Sequence, residues 1–335
     1  MRWIKCSTTN ARRASLRPAA LSLALISLFA CAQETTLRSR SNLVLVPALV
    51  KDQQDGIVYG LQAKDFIVED NGVEQTTQLD EAAEGQSVSL VLAIQTGRRA
   101  NYEFPRMQGL KTMLGPLFST GTSRVAIVEF DSHVRLTQPF SKDESLIDAD
   151  LTSLRPGDEG TSILDAIAYS IDLLKAEPED RQRVVLLISE TRDHGSKEKI
   201  EDAVAAVGRA NATMYALAFS PALSNILDTG RGTNKDEMQN GINFLDLAYR
   251  AAQAMRKNVP SAVAAMTGGE YEVFATRKKF EVRMNDFTNH LHSRYLLSFV
   301  PKNPSPGLHQ IRVRLKDAPD TTVLARTSYW AEGSK

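Results

Sequence analysis

The chain has 335 residues, 42% of them hydrophobic, and its 40 lysine and arginine residues balance 40 aspartate and glutamate residues. This length and apolar content can supply the cores of two ordinary domains, which excludes a largely disordered chain. Because the charges balance and no dense basic block follows the first segment, we expect no nucleic-acid partner.

Residues 1–32 are typical of an export signal. A positively charged stretch precedes the uncharged apolar run from Pro18 to Phe29, and small residues follow it. We therefore predict that residues 1–32 form a signal peptide and that residues 33–42, which are polar and unpatterned, form a tether. Removing the five basic residues of the leader leaves 35 basic against 40 acidic residues, so the mature chain would carry about five negative charges.

Two cleavage sites fit the end of this leader. The letters L-F-A-C, which end at Cys31, resemble a lipobox, in which Cys31 would be acylated and become the new N-terminus. The letters A-x-A, which end at Ala32, instead fit ordinary signal peptidase cleavage before Gln33. Paired arginines at positions 12 and 13 leave twin-arginine export open. We expect a protein of the periplasm, outer membrane or cell surface, attached to a membrane, if at all, through Cys31.

The distribution of cysteine agrees with export. Both cysteines, Cys6 and Cys31, lie within the leader or at its end, so the folded part contains none. It can therefore form neither a disulfide bond nor a thiolate metal site. No later run is long and apolar enough to span a bilayer as a helix.

Residues 43–85 are predicted to form a small β unit. The predicted hairpins pair residues 43–50 with 57–59 and residues 66–69 with 75–79. Turn signals at Asp55-Gly56 and Asn71-Gly72 separate the two members of each pair.

From residue 86 the pattern changes to alternating strands and helices. Nearly continuous apolar runs, typical of strands covered on both faces, occur at 87–94, 124–130, 184–188 and 214–219. Amphipathic stretches predict helices over 107–118, 162–174, 197–210 and 244–255. Ser162 is placed to cap the second helix, and residues 134–140 are predicted to form an antiparallel edge strand. A short strand at 271–274 and a helix at 280–291 follow, and 221–241 is an unusually long polar loop.

Residues 293–332 return to a β composition. Three strands are predicted over 295–300, 310–316 and 322–330. Because β segments flank the α/β region on both sides, we predict one small β-sandwich built from the N- and C-terminal strands. The domain of residues 86–292 is predicted to be inserted into it, with a mostly parallel, doubly wound sheet and three α/β layers.

The α/β region resembles a von Willebrand factor type A domain in strand order, element length and local sequence. The letters K-D-F-x-V-x-D-x-G at 64–72 and Y-L-L-S-F at 295–299 are similar to the flanks of the von Willebrand A-related family found in Acidobacteria. The resemblance covers nearly the whole mature chain. It implies a protein-binding module whose members with a complete site hold Mg²⁺ or Mn²⁺ at the carboxyl-terminal edge of the sheet.

The resemblance also implies that this site is degraded. Complete members carry D-x-S-x-S after the first strand, a threonine in a second loop and an aspartate after the fourth strand. Here Gln95 stands in place of the first aspartate, Gly97 in place of the first serine and Arg99 in place of the second. Thr161 matches the threonine, and Glu190 occupies the position of the last aspartate.

The charge of a guanidinium decides against a metal ion here. At about 4 Å and an effective dielectric constant near 20, one positive charge repels a divalent cation by roughly 8 kcal/mol. If Arg98 and Arg99 instead point to solvent, Thr161, Glu190 and one amide oxygen are too few and too weakly charged for tight Mg²⁺ binding. We therefore expect no cofactor, with Mg²⁺ or Mn²⁺ as the open alternative and Thr161 and Glu190 as its weak candidate ligands.

Two interpretations of the arginines remain open. Arg99 can fill the place of the cation and pair with Glu190, which would leave a metal-independent surface for an acidic group. Alternatively the ligands have been lost and both arginines are solvated. We expect the chain to bind an unknown protein in the envelope or outside the cell. The expected contact residues are Gln95, Gly97, Arg98, Arg99, Thr161 and Glu190.

Two other classes of function compete with this one. A scaffold of the cell envelope would have no ligand at this edge, and a third class is an unrecognised hydrolase. No nucleophile elbow, P-loop or dinucleotide fingerprint occurs, so we expect no enzyme and no catalytic residue. Histidines 133, 194 and 309 fall in separate turn-like segments, and His290 and His292 are expected at a solvent-exposed helix end. Asp131 and Asp158 are expected near the rim of the edge, as turn and cap residues.

Overall fold

The computed structural model describes residues 43–80, 87–119, 121–178, 181–219, 244–318 and 320–332. The predicted signal peptide with Cys31, the tether and the long loop at 221–241 therefore lie outside the described residues. Within the described part, no helix has the length and apolar character needed to cross a membrane.

The described residues form fourteen strands and seven α-helices. The strands are β1 (Val44–Lys51), β2 (Phe66–Asp70), β3 (Val73–Glu74), β4 (Thr77–Asp80), β5 (Val88–Gln95), β6 (Arg124–Phe130), β7 (Val134–Ser141), β8 (Gln182–Ser189), β9 (Thr213–Phe219), β10 (Tyr271–Phe274), β11 (Tyr295–Phe299), β12 (Gly307–Leu315), β13 (Thr322–Ala325) and β14 (Ser328–Ala331). The helices are α1 (Leu110–Phe118), α2 (Glu144–Ser153), α3 (Ile163–Lys175), α4 (Ile200–Arg209), α5 (Phe244–Lys257), α6 (Val259–Thr267) and α7 (Arg277–Leu291).

Six strands form the central sheet, in the order β10-β9-β8-β5-β6-β7. Neighbouring strands are parallel from β10 to β6, and β7 pairs antiparallel with β6. The order reverses next to β5, so the carboxyl end of β5 lies at the switch point where open α/β sheets bind ligands. The predicted sheet and its antiparallel edge strand are confirmed.

Both faces of this sheet are covered, which explains the continuous apolar runs. Val91 and Val185 contact the cluster formed with α3, α4, α5 and α6. Leu90 and Leu186 contact the opposite cluster, formed with α1 and α7. Alternate residues of one strand therefore enter two different cores, each of which gains about 1.5–3 kcal/mol per fully buried aliphatic side chain.

Two four-stranded sheets form the β-sandwich, with the orders β13-β1-β11-β4 and β14-β12-β2-β3. Every pair in them is antiparallel, and each sheet combines strands from both ends of the chain. Val46, Val68 and Phe299 belong to the core between the sheets. The α/β fold class with a flanking sandwich is therefore confirmed.

The two predicted N-terminal hairpins form only next to their turns. Ile57 forms a bridge with Lys51, and the Val58 N–H donates to the Val50 carbonyl oxygen at 2.9 Å, but the rest of β1 pairs with β11 and β13. In the second case β3 pairs back across β2, whereas β4 crosses to the other sheet and pairs with β11. Turn signals describe the local chain, and the partner of each strand is decided by which apolar faces can be buried together.

Other elements also differ from the sequence expectation. The stretch predicted as one strand at 322–330 is two strands, β13 and β14, which belong to different sheets. Helices α2 and α6 were not predicted. Ser162 makes no side-chain cap bond; instead the Asp193 carboxylate accepts from the backbone N–H of Leu164 at 3.1 Å. A cap supplied from a distant loop leaves no local sequence signal.

Two histidines are buried, although the sequence predicted His290 at a solvent-exposed helix end and His309 in a turn-like segment. His290 is 8% exposed, and its Nδ1 lies 2.8 Å from a carboxylate oxygen of Glu270. His309 lies within β12, and its Nδ1 is 2.7 Å from Asp70. Each imidazole is thus buried because it has a charged partner.

Candidate functional site

The predicted site residues meet at the carboxyl-terminal edge of the parallel sheet. Gln95 is the last residue of β5 and Glu190 follows β8, while Thr161 immediately precedes the N-cap of α3. The fully buried amide of Gln95 donates from Nε2 to Thr161 Oγ1 at 3.1 Å, and its Oε1 accepts from the Glu190 backbone N–H at 2.7 Å. Gln95 therefore joins the three segments that the sequence placed at this edge.

Gly97 lies where the chain passes closest to the neighbouring loop. A Cβ atom at this position would lie 2.1 Å from the Gly160 carbonyl oxygen and 2.9 Å from Asp158 O. The next residue, Arg98, has a φ of 54° and donates its backbone N–H to Asp158 O at 2.7 Å. A serine at position 97 would therefore require the two loops to separate.

Arg98, and not Arg99, is the arginine that pairs with Glu190. Nε of Arg98 lies 3.3 Å from Glu190 Oε2, and the two side chains are 32% and 17% exposed. The pair is a charge contact without a well-aligned hydrogen bond, because Arg98 Nε and Glu190 Oε1 are buried and neither has a hydrogen-bond partner among the described residues. Arg99 is exposed. The sequence could not separate the two arginines, because that choice depends on the left-handed backbone at Arg98.

The side chains at this edge do not supply the ligand atoms that a divalent cation needs. Mg²⁺ requires a set of converging oxygens that are mostly charged. Here the amide nitrogen of Gln95 points at Thr161, its oxygen accepts from a backbone N–H, and the guanidinium of Arg98 contacts Glu190, which supplies the carboxylate among the predicted site residues. One carboxylate that already neutralises a guanidinium does not form such a set.

Asp131 and Asp158 lie at the rim, as expected, where they hold loops. Arg135 contacts both oxygens of Asp131 at 2.9 Å. Burial would raise the pKa of Asp131, but the bonds from Arg135 and from the backbone N–H of His133 lower it below its ordinary value. Asp158 accepts from the backbone N–H groups of Ser132 at 2.9 Å and Gly160 at 2.8 Å.

These acidic residues and His133 are close enough together to share a metal ion, yet they are committed to other partners. The nearest ligand atoms of Asp131, His133 and Asp158 lie within 4.8 Å of one another. Both Asp131 oxygens contact the fixed charge of Arg135, which would repel a cation. This group therefore behaves as a loop clamp.

A cleft of about 290 Å³ opens beside Arg98. Its lining consists of Arg98, Arg99, Tyr102, Glu103, Arg106, Glu190, Thr191 and Phe219. Glu103 is neutralised by Arg106, whose Nη1 lies 2.6 Å and 2.5 Å from its two oxygens. Tyr102 is 72% exposed, and Arg99 has no partner among the described residues. The sequence does not indicate Tyr102 and Arg106 as cleft residues, because they lie in two short 3₁₀ segments after Arg99 that have no recognisable pattern.

A serine, a histidine and an aspartate also meet in the sandwich, far along the chain from this edge. Ser305 Oγ lies 3.1 Å from His309 Nε2, and His309 Nδ1 lies 2.7 Å from Asp70. However, the Nε2 atom is also 2.7 Å from the Ser305 carbonyl oxygen, so both ring nitrogens face acceptors. An imidazole that donates from both nitrogens cannot take a proton from a serine, so the arrangement is a clamp for the loop before β12.

A family model described as von Willebrand factor type A domain matches residues 95–193. The match begins at Gln95 and includes Thr161 and Glu190. The chain therefore contains a von Willebrand factor type A domain, in agreement with its sheet order and with the sequence resemblance. Membership of the Acidobacteria-type family stays a prediction from the segments that flank this domain.

Several solved structures are similar to parts of the chain. The vWF domain of the type V pili tip protein Mfa5 from Porphyromonas gingivalis is 14% identical, with a TM-score of 0.30, over 32% of this chain and only 39% of its own length. The conserved hypothetical protein BatB from Bacteroides thetaiotaomicron is 15% identical, with a TM-score of 0.40, over 61% of this chain and 98% of its own. The pilus adhesin SpaC from Lactobacillus rhamnosus GG is 9% identical, with a TM-score of 0.41, over 79% and 47%. No curated protein matches the chain in sequence, and these weak likenesses carry no functional conclusion.

Proposed function

We propose that this protein is an exported, non-enzymatic binding module that recognises an acidic group on another protein. Its contact surface is the carboxyl-terminal edge of the parallel sheet together with the cleft beside Arg98. Binding there needs no metal ion. Export is inferred from the leader at residues 1–32.

The observation that carries this proposal is a network of side-chain contacts at the positions where complete family members hold metal ligands. Gln95 fills the position between Thr161 and Glu190, with hydrogen bonds of 3.1 Å and 2.7 Å, and Arg98 supplies a positive charge 3.3 Å from Glu190. In a complete site the bound cation attracts the partner's carboxylate. In this chain a guanidinium can do the same without a cation, because arginine binds carboxylates through paired hydrogen bonds.

The composition of the cleft supports a protein partner of negative charge. Arg99 is exposed and has no partner among the described residues, and Tyr102 next to it is 72% exposed. Tyrosine and arginine, like tryptophan, are enriched among the residues that dominate binding energy at protein interfaces. Glu103 and Glu190 each already contact an arginine, so among the described residues of the cleft Arg99 supplies the positive charge that has no carboxylate partner.

Photo-crosslinking in the native cell tests the proposal. Tyr102 is replaced by p-benzoylphenylalanine, and Tyr59, which is 65% exposed and lies in the sandwich part of the chain, is replaced in the same way as a matched control. We expect a discrete adduct from position 102 only. The adduct should survive chelation of divalent cations and should disappear when Arg99→Glu is introduced beside the probe, because the reversed charge repels an acidic partner.

If the protein is instead a scaffold, we expect the opposite result from the photo-crosslinking experiment. If the edge has no ligand, position 102 gives no specific adduct, or its adduct is unchanged by Arg99→Glu. An adduct that is lost with chelator would instead mean that the partner is bound through a metal ion, and metal-independent recognition would be abandoned.

A further inference from the structure

A second cavity lies at the opposite end of the parallel sheet. It has a volume of about 80 Å³ and is lined in part by Gln182 and Thr213, the first residues of β8 and β9. Its other wall includes Leu45 and Pro47 of β1, which alternate with the strand's sandwich-core residues and so belong to the opposite face. The cavity therefore lies between the amino-terminal edge of the α/β sheet and the outer face of the sandwich.

The lining of this cavity is strongly basic. The charged residues that line it are Arg181, Arg183, Arg294 and Arg326, with no aspartate or glutamate among the described residues of the lining. Two of them have carboxylate partners outside the cavity: Arg181 lies 3.8 Å from Glu177, and Arg294 lies 3.2 Å from Glu270. The other two form no ion pair with a carboxylate of the described residues. The cavity therefore carries uncompensated positive charge.

Arg326 is buried, and no carboxylate in the described part of the chain forms an ion pair with it. It is 6% exposed and donates to the carbonyl oxygens of Ser328 at 3.0 Å, Leu45 at 3.1 Å and Gly208 at 3.3 Å. Burial lowers the pKa of its guanidinium to about 10. A guanidinium has five N–H groups, and three carbonyl dipoles neither use all of them nor cancel a full charge.

Arg183 adds a second guanidinium without a carboxylate partner among the described residues to the same cavity. Its Nη2 donates to the Glu177 carbonyl oxygen at 2.7 Å, but its Nε is buried and has no hydrogen-bond partner among the described residues. A buried donor that has left water without gaining an acceptor lowers stability. Nε has no accessible surface, so a ligand would contact the part of the guanidinium that lines the cavity, and its negative charge would offset the charges of Arg183 and Arg326.

We propose that the cavity binds a small oxyanion of the size of phosphate, held by Arg183 and Arg326. One water needs about 10–15 Å³ of such volume, so the cavity of about 80 Å³ has room for the five heavy atoms of phosphate. Arginine recognises such groups through several charge-assisted hydrogen bonds. This cavity shares no lining residue with the cleft at the proposed protein-binding edge. Phosphate binding here therefore does not depend on the proposed function.

Calorimetric titration of the full chain with sodium phosphate, at an ionic strength held constant with chloride, tests the proposal. We expect a saturable heat in the wild-type protein and an affinity reduced by about tenfold or more in Arg183→Gln, the loss expected for one charge-assisted hydrogen bond. Asn211→Asp is a second variant. Asn211 lines the cavity at an exposed position, so an added negative charge there should weaken binding without disturbing the core.

Two controls locate the binding. Arg277→Gln removes an exposed arginine that does not line the cavity, and Arg99→Gln removes the free arginine of the other edge. Both should bind phosphate as the wild type does. The proposal is overturned if the wild type gives no saturable heat, if Asn211→Asp binds with unchanged affinity, or if Arg99→Gln is the variant that loses binding.

Discussion

At the scale of single residues, Gln95 holds the predicted site residues together. It replaces a carboxylate that the resemblance places at a metal site, and its amide bonds to Thr161 Oγ1, to the Glu190 N–H and to the Gly97 carbonyl oxygen at 3.0 Å. No pattern in the sequence indicates these bonds, because they join segments that are 66 and 95 residues apart in the chain.

Replacing Gln95 by alanine should therefore destabilise the fold. The change leaves the half-buried Glu190 N–H and the buried Thr161 hydroxyl without their partner, and we expect a loss of about 2–3 kcal/mol in the free energy of unfolding. Urea denaturation followed by circular dichroism measures it. Gln54→Ala, at an exposed position, is the matched control and should stay within about 0.5 kcal/mol of the wild type. Equal effects of the two changes would mean that the hydrogen bonds of Gln95 do not stabilise the fold.

Gly97 gives a second prediction at this scale. A methyl group there meets the Gly160 carbonyl oxygen at 2.1 Å, so Gly97→Ala should push the two loops apart and cost about 1–3 kcal/mol. Gly115→Ala is the matched control, because it adds the same methyl group to open space within α1 and should raise stability by about 0.5–1 kcal/mol. Thermal melting compares the two, and a stable Gly97→Ala protein would contradict the close approach.

His309 makes stability depend on pH. Burial would lower the pKa of His309, but the bonds to the Asp70 carboxylate and the Ser305 carbonyl raise it above its ordinary value of 6.5. A raised pKa in the folded state gives stability that is complete below pH 6.5 and is lost as the pH rises through the folded-state pKa.

The wild type should therefore lose free energy of unfolding over that range, and His309→Gln should not. His194→Gln, at an exposed position, is the control and should follow the wild-type curve. Denaturation at a series of pH values measures the difference, and parallel curves for wild type and His309→Gln would show that no proton is linked to folding at His309.

At the scale of elements, periodicity predicted the α/β region well. The runs at 87–94, 124–130 and 214–219 differ by at most a residue from β5, β6 and β9, because a strand covered on both faces has an apolar side chain at nearly every position. The prediction of one strand over residues 322–330 was wrong, because the chain crosses from one sheet to the other at Arg326. Such a crossing inside a β-rich stretch does not alter the composition, so the sequence does not indicate it.

The contact between α4 and β14 can be tested at this scale. A Cβ atom on Gly208 would lie 3.1 Å from Leu308 and 3.3 Å from Trp330, so the helix packs directly on the sandwich strands. Gly208→Leu should overpack this contact and destabilise the protein by about 1–3 kcal/mol or more. Asp202→Leu, at an exposed position of the same helix, should change stability by about 0.5 kcal/mol or less. Chemical denaturation distinguishes them, and similar midpoints would mean that α4 and β14 do not pack closely.

At the scale of the whole molecule, the sandwich is closed by the two ends of the chain. β1 pairs with β11 and β13, and β2 pairs with β12, so strands that precede the von Willebrand A domain bind strands that follow it. The composition of both ends predicted this closure, whereas the register and the partner of each strand could not be predicted. The same holds for the site: the sequence identified which residues meet at the sheet edge, but it did not identify which arginine pairs with Glu190.

The most direct test of metal-independent recognition is calorimetric titration of the wild-type protein with Mg²⁺ and Mn²⁺, paired with melting temperatures with and without chelator. A ligand of the native state must raise its stability by mass action. We predict no saturable heat and no change in melting temperature, because Gln95 and Arg98 already occupy the site around Thr161 and Glu190. Micromolar binding that disappears in Thr161→Ala would contradict the account, since it would mean that these residues still hold a working metal site.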